Sequence, residues 1–314
     1  MGRLVPGSLS WKGPRPMATL TVPPAAGSAA SSAVVPVGPM LSMFDPVYLG
    51  VDEFGQPVYV VLAYRNMLIA GEPGGGKSGL IQNITAHCFL AAGTRPVLLD
   101  PKLVELGMWA DLAEEFVGPD ITHALTTLRR VQQVMNNRYA WLLAHNRRKI
   151  TPADGVSVIP VILDELAYYS ATIGTKEQQA EFIALVRDIV ARGRACAIPV
   201  IAATQRPSVD IIPTSLRDIF GFRVAFRCTT PNSSDIILGH GWAHSGFNAA
   251  DILPTNQGVA YLIAEGGVPA LFKGAYLTDE QINILVDHAT WIRTTPTPPP
   301  ATAPAAAPGA ALAA

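Results

Sequence analysis

Four glycines, a lysine and a serine crowd into the eight residues Gly71-Glu72-Pro73-Gly74-Gly75-Gly76-Lys77-Ser78. Anions need dense, unhindered donors. A glycine-rich turn at a helix N-terminus offers backbone N–H groups together with the positive end of the helix dipole. The spacing predicts a phosphate-binding loop: Gly71, Glu72, Pro73, Gly74, Gly75 and Gly76 wrap a triphosphate, Lys77 reaches its β and γ oxygens, and the Ser78 hydroxyl ligates Mg²⁺. The expected ligands are therefore ATP and Mg²⁺. The apolar run Met67-Leu68-Ile69-Ala70 feeds into the loop as a strand should.

Hydrolysis needs a carboxylate to hold the metal and another to orient the attacking water. Val161-Ile162-Leu163-Asp164-Glu165 supplies both at the end of an apolar run. Asp164 is the expected metal residue and Glu165 the expected base. Adjacent side chains on an extended segment point to opposite sides, so the two acids can divide these roles only where the strand is ending. Pro160 cannot donate to a central ladder, which starts the strand at or just after it. A third run, Ile198-Pro199-Val200-Ile201-Ala202-Ala203-Thr204, ends in Gln205-Arg206-Pro207. Gln205 stands where a sensor of the γ-phosphate belongs; the bland alternative is a turn residue. In the additional-strand class of P-loop ATPases this strand lies between the two nucleotide-binding strands.

These groups need a scaffold. Short apolar runs alternate with longer amphipathic segments, the pattern of an α/β domain with a mostly parallel sheet. Strands are expected at 58–62, 66–70, 96–99, 161–163, 198–204, 222–227 and 258–263. One helix should follow the phosphate loop through Leu80, Ile84 and His87. A second spans about 121–145, where Leu125, Leu128, Val131, Met135, Tyr139 and Leu142 recur every three or four residues. A third starts near Thr175, which forms a capping box with Gln178. A last one covers about 279–292.

The chain has 314 residues, 49% of them hydrophobic, enough for one principal domain with a large core. The formal charge is −1 with 15% charged residues, which excludes a globally basic nucleic-acid binder and leaves local clusters to make any such contact. Cys88, Cys196 and Cys228 are scattered and odd in number, fitting a reducing, cytoplasmic setting and buried thiols. No run approaches the roughly 20 apolar residues of a membrane helix. Residues 1–44 and 294–314 are rich in Pro, Ala, Ser, Gly and Thr and are expected to be disordered. That leaves 45–293 as the folded part.

Several segments together resemble the FtsK/SpoIIIE family of DNA-pumping ATPases. Leu99-Asp100-Pro101-Lys102-Leu103-Val104-Glu105-Leu106 is similar to the family's aspartate-proline-lysine motif. Ala191-Arg192-Gly193-Arg194-Ala195 and Ala203-Thr204-Gln205-Arg206-Pro207-Ser208-Val209-Asp210 resemble its most distinctive segment. Arg223-Val224-Ala225-Phe226-Arg227 and Leu238-Gly239 follow in the expected order, so the similarity covers about 47–285. Asp164-Glu165-Leu166-Ala167-Tyr168-Tyr169 and Gly239-His240-Gly241-Trp242-Ala243 look most like the compact actinobacterial plasmid and integrative-element transfer proteins. The resemblance implies a RecA-like P-loop NTPase that assembles as a hexameric ring around double-stranded DNA and serves conjugative transfer. Family members commonly carry N-terminal membrane spans and a C-terminal winged-helix domain. Neither is visible in this sequence, so attachment to a membrane is expected to come through a membrane-protein partner.

A ring of this kind uses an arginine from the neighbouring subunit, worth on the order of 10³ to 10⁵ in rate in related phosphoryl-transfer enzymes. Arg194 and Arg223 are the candidates, with Arg217 behind them; each is equally compatible with a structural ion pair. Lys102, Arg129, Arg130, Arg147, Arg148, Lys149 and Arg206 are the basic positions for DNA, although Arg147-Arg148-Lys149 also reads as a solvated helix end. His240 and His244 lack a third ligand in any recognisable pattern. Tyr168-Tyr169 is expected to pack below the nucleotide site. Two other readings remain: a protein-secretion ATPase, since type VII secretion motors share these motifs, and an ATP-gated assembly subunit that does not hydrolyse. The intact Glu165 speaks against the second.

Overall fold

The computed structural model describes residues 41–264 and 266–294. Within them the strands are β1 (Val47–Asp52), β2 (Pro57–Val60), β3 (Met67–Ala70), β4 (Val97–Leu99), β5 (Glu115–Val117), β6 (Val161–Leu163), β7 (Val200–Thr204), β8 (Phe222–Phe226), β9 (Val259–Ala264) and β10 (Ala270–Gly274). All join one sheet in the order β2-β1-β10-β9-β8-β3-β7-β6-β4-β5. From β8 to β5 the neighbours run parallel. From β8 to β2 they run antiparallel. The expected parallel sheet is thus the nucleotide-facing half of a mixed one. Strand β7 lies between β3 and β6, as the additional-strand reading requires.

The helices are α1 (Lys77–Leu90), α2 (Ile121–Ala144), α3 (Lys176–Arg192), α4 (Thr214–Arg217), α5 (Pro231–Leu238) and α6 (Asp279–Thr294). Helix α2 starts where the Asp120 carboxylate accepts from the N–H of Thr122 and His123. Helix α3 begins with the capping box expected of Thr175 and Gln178, both reciprocal bonds being formed. The two helices pack on each other. Helix α1 has no single apolar stripe, because it is buried nearly all round: Leu80, Ile81, Gln82, Ile84, Thr85, Cys88 and Phe89 are all in the interior. The sheet covers one side, and α6 with the short turn Gly107–Leu112 covers the other. From that turn Trp109 stacks on Phe89 at 4.9 Å and donates its indole N–H to Gln82 at 2.9 Å.

Strands β1, β5 and β10 escape a pattern search. Strand β5 has three residues, too few for a period, and β1 and β10 lie in the antiparallel half, where burial is irregular. Residues 41–44, grouped by composition with the N-terminal segment, belong to the fold: Leu41 bridges to Ala91, and Met43 is fully buried. The rest of the expected disorder, 1–40 and 295–314, lies outside the described residues. All three cysteines are buried free thiols. No helix among the described residues is long and apolar enough to cross a membrane.

Asn66 ties the parallel strands together just before the phosphate loop. Its fully buried amide donates to Val190 O and accepts from Val200 N, both at 2.7 Å, while its backbone carbonyl accepts from Phe222 N at 3.0 Å. It therefore links the entries of β3, β7 and β8 to the end of α3. Asn66→Ala leaves Val190 O and Val200 N buried without partners and is expected to cost about 2 to 3 kcal/mol. Urea unfolding measures this, and a loss below about 0.5 kcal/mol contradicts the assignment.

Candidate active site

Strand β3, fully buried over Met67–Ala70, delivers the chain to the loop at the end of the sheet shared by the tips of β6, β7 and β8. Gly76 takes φ +114°, and a Cβ there would stand 2.6 Å from the Gly258 Cα. Only glycine fits both demands. Among the described residues no partner takes the N–H of Gly74, Gly76, Lys77 or Ser78, so four donors converge at the start of α1. Glu72 differs from its neighbours. Its N–H donates to Arg227 O at 2.8 Å, and its carboxylate pairs with Arg227 at 2.8 Å and accepts from the Thr229 hydroxyl. Gly75 O accepts from Gly258 N at 3.0 Å. Glu72, expected among the phosphate-wrapping residues, fastens the loop to the end of β8, and Gly75 fastens it to the start of β9.

The Lys77 ammonium folds across its own loop, donating to Gly71 O at 2.7 Å and Glu72 O at 2.8 Å. Burial pushes its pKa down to about 8, against the opposing pull of Glu165 and Asp164. Asp164 follows β6, its N–H donating to Leu99 O at 3.0 Å. Its carboxylate is 4% exposed and burial pushes its pKa up to about 6, with Lys102 opposing the shift. The buried Oδ2 has no hydrogen bond; the Lys102 ammonium is 3.5 Å away. A buried carboxylate oxygen lacking a hydrogen-bond donor suits a hard cation. Together with Ser78 at the first turn of α1, it makes a donor set that fits Mg²⁺.

Lys102 is presented by a turn that Asp100 builds. The fully buried Asp100 carboxylate accepts from the N–H groups of Lys102, Leu103 and Leu106 at 2.9, 3.1 and 2.8 Å. The aspartate-proline-lysine resemblance thereby has a physical content: the aspartate shapes the turn, and the lysine faces Asp164. Below the site Tyr169, fully buried, donates its hydroxyl to Gly118 O at 2.9 Å and stacks on Phe182.

Glu165 is 9% exposed and bound to the tip of β7. Its Oε1 accepts from the Thr204 hydroxyl at 2.7 Å and the Ala167 N–H at 3.2 Å; its Oε2 accepts from the Gln205 N–H at 3.0 Å. The expected base and sensor are adjacent, joined through Gln205's backbone. Thr204 and Arg227 went unrecognised as individual residues. A polar Thr204 closing a fully apolar strand is a faint signal for the first, whereas Arg227 meets its partner across about 155 residues of chain and leaves none.

Arg194 and Arg223 lie at the other end of the sheet. Arg223 is paired in register with Leu68, near the entry of β3, and Arg194 precedes β7. Both line a pocket of roughly 350 Å³ with Asp218 and Phe220. Arg194 Nε donates to Tyr64 O at 2.8 Å. Arg223 is 4.0 Å from Asp218, its buried Nε has no hydrogen bond, and burial beside Arg217 holds its pKa below the usual arginine range. Arg217 itself pairs with Asp218 at 2.7 Å. Neither candidate meets this chain's own phosphate loop, so any role there requires a second copy. Of the basic positions, Arg129 pairs with Glu181, Arg130 with Glu115 and Arg147 with Asp154, and Lys149 lies over the Tyr64 ring. Arg206 is exposed beside the tip of β7.

A profile of the FtsK/SpoIIIE family matches residues 39–239. DNA translocase FtsK of Treponema pallidum (strain Nichols) is 31% identical over 263 residues, covering 77% of this chain and 31% of that protein. Its counterpart in Helicobacter pylori (strain ATCC 700392 / 26695) is 31% identical over 258 residues, covering 76% and 28%. The chain therefore spans about a third of the length of these curated relatives. Among solved structures, the pCW3 conjugation coupling protein TcpA aligns with a TM-score of 0.68 at 20% identity, covering 79% of this chain and 70% of that one. The cytoplasmic domain of the Thermomonospora curvata type VII secretion ATPase EccC aligns with a TM-score of 0.62 at 18% identity, covering 80% and 32%. These two likenesses are of fold.

The opposite shifts of Lys77 and Asp164 define a pH window. If Asp164 holds Mg²⁺ it does so ionised, and Mg²⁺ affinity is then expected to fall as pH drops below about 6. If Lys77 binds phosphate it does so charged, and nucleotide affinity is then expected to fall as pH rises above about 8. Titration with a fluorescent ATP analogue and Mg²⁺ is expected to show tightest binding between these limits. Monotonic dependence across the same range contradicts it.

Proposed function

Because the chain belongs to the FtsK/SpoIIIE family, we propose that it is a motor that couples ATP hydrolysis to translocation of double-stranded DNA. The observation that carries this reading is the convergence of the unpaired loop amides, the Asp164 Oδ2 and Glu165 on the neighbouring tips of β3, β7 and β6. In it the amides of Gly74, Gly76, Lys77 and Ser78 bind the phosphates. Lys77 leaves its loop carbonyls for the β and γ oxygens. Ser78 and Asp164 would hold Mg²⁺, which when bound would supply neutralisation of phosphate charge. Glu165 orients water toward the γ-phosphorus and takes its proton. Gln205 senses the γ-phosphate and passes its presence to Arg206 and the segment after it.

The pocket holding Arg194 and Arg223 lies toward the end of the parallel strands opposite the phosphate loop, which supports a ring in which each subunit completes its neighbour's site. A hexamer of the motor domain, residues 45–293, is the proposed assembly. The likeness to a conjugation coupling protein supports a role in moving plasmid or integrative-element DNA. In that role the motor works at the cytoplasmic side of a membrane-protein partner. The likeness to EccC supports a second reading, a protein-secretion ATPase. A non-hydrolysing assembly subunit is the third, and the placement of Glu165 beside the sensor strand disfavours it.

ATP turnover of wild type, Lys77→Ala and Glu165→Gln, with and without linear duplex DNA across a salt series, separates the three. A DNA pump is stimulated by duplex, and the stimulation fades as salt rises. Both variants are expected to lose turnover by at least about 100-fold. Stimulation by a polypeptide with none by duplex sinks the DNA reading, and ATP binding without turnover in an assembled ring favours the assembly subunit. Arg223→Ala is expected to lower turnover of the ring by roughly 10³-fold, while the isolated subunit keeps its affinity for Mg-ATP. A loss confined to the Arg194 variant reassigns the role.

A further inference from the structure

Three protein donors engage the Glu165 carboxylate. Thr204 Oγ–H reaches its Oε1 at 2.7 Å, Ala167 N–H reaches the same oxygen at 3.2 Å, and Gln205 N–H spans both oxygens at 3.0 and 3.4 Å. A base must accept a proton from water at about 2.6 to 3.2 Å, and a carboxylate offers about four lone-pair sites. Here the protein takes most of them. The strongest of these donors, the Thr204 hydroxyl, is fully buried and has a second bond: it accepts from the Arg206 N–H at 3.1 Å. Since an ionised carboxylate can only accept, the single hydroxyl proton goes to Glu165 Oε1, and an oxygen lone pair takes the Arg206 N–H. The bonds form an ordered relay from Arg206 N–H through Thr204 Oγ to Glu165 Oε1, and such chains strengthen one another.

Arg206 opens the segment that leads from β7 to α4, in which Arg206, Val209 and Asp210 are exposed while Ile211 and Ile212 anchor its far end in the core. A displacement of its backbone would break the acceptor bond and remove the polarisation that strengthens the Thr204–Glu165 bond. We propose that Thr204 is a positioning residue that parks Glu165 against the tip of β7, off the attacking water, and releases it when the segment beginning at Arg206 engages duplex DNA. The proposal rests on Glu165 being the water-activating base. It accounts for how DNA contact at one end of β7 raises turnover without any new catalytic group: the base is present throughout and is held out of use.

The test is ATP turnover of the full chain as wild type, Thr204→Val, Thr204→Ala and Thr204→Ser, with and without saturating linear duplex. Valine and alanine remove the hydroxyl, and the first keeps its bulk. Both are expected to raise DNA-free kcat roughly tenfold, as for one lost hydrogen bond to a charged group, with KM for ATP within about twofold. The stimulation by duplex shrinks by the same factor. Serine restores the hydroxyl and is expected to stay within about twofold of wild type. DNA-free kcat that is unchanged, or that falls together with the stimulated rate, overturns the proposal. If Glu165→Gln keeps wild-type turnover, the reading of Glu165 as base fails and takes the tether with it; if only the Thr204 variants behave as wild type, the tether alone fails. A structure of the wild-type protein with ATPγS and duplex gives an answer free of variant folding. Separation of Glu165 Oε1 from Thr204 Oγ beyond hydrogen-bond reach supports release, and a retained bond overturns it.

Discussion

An anion cradle must hold backbone N–H groups unpaired and aimed at one point, and an unpaired buried amide is a group the rest of a protein avoids. The phosphate loop sustains this arrangement because its own flanks are fastened elsewhere. Glu72 is bound through its amide and its carboxylate to the end of β8, and Gly75 through its carbonyl to the start of β9. The close passage of Gly76 over Gly258 allows no side chain at the crossing. The antiparallel half of the sheet, which touches no phosphate, therefore sets the shape of the loop that does.

Two buried charges of opposite sign face one another across this site, and neither is comfortable. Desolvation weakens the Lys77 ammonium and protonates the Asp164 carboxylate more readily than usual. Each takes partial compensation from what is near, Lys77 from loop carbonyls and Asp164 from Lys102 at 3.5 Å. These are weak substitutes for a triphosphate and a divalent cation. The free site is in this sense prepared for ligands of large charge: the cost of burial is already met by folding, and binding relieves it.

The parallel strands also separate two chemistries by their direction. Their C-terminal tips carry the phosphate loop, Asp164, Glu165 and Gln205, as expected where loops leave a parallel sheet. Near their entries sit Asn66, Arg194 and Arg223. Strand β7 runs between the two ends, fully buried throughout. The buried strand thus joins Gln205 at one end to the arginine pocket near the other.

Local chemistry was legible in the chain itself. Glycine spacing, an apolar run closing in Asp164-Glu165 and a capping box at Thr175 are each fixed by neighbours in sequence, and the loop, strand β6 and the start of α3 fall where such rules put them. The place of β7 between β3 and β6 agreed with the additional-strand reading, and the antiparallel half escaped because short strands with irregular burial have no readable period. Only the tertiary structure decided that Glu72 is a fastening to Arg227, that Thr204 holds Glu165, that Lys102 faces Asp164, and that the two candidate arginines lie far from this chain's own loop. These are contacts between side chains dozens to more than a hundred residues apart. Their existence depends on how strands pair and in what register, which no local pattern encodes.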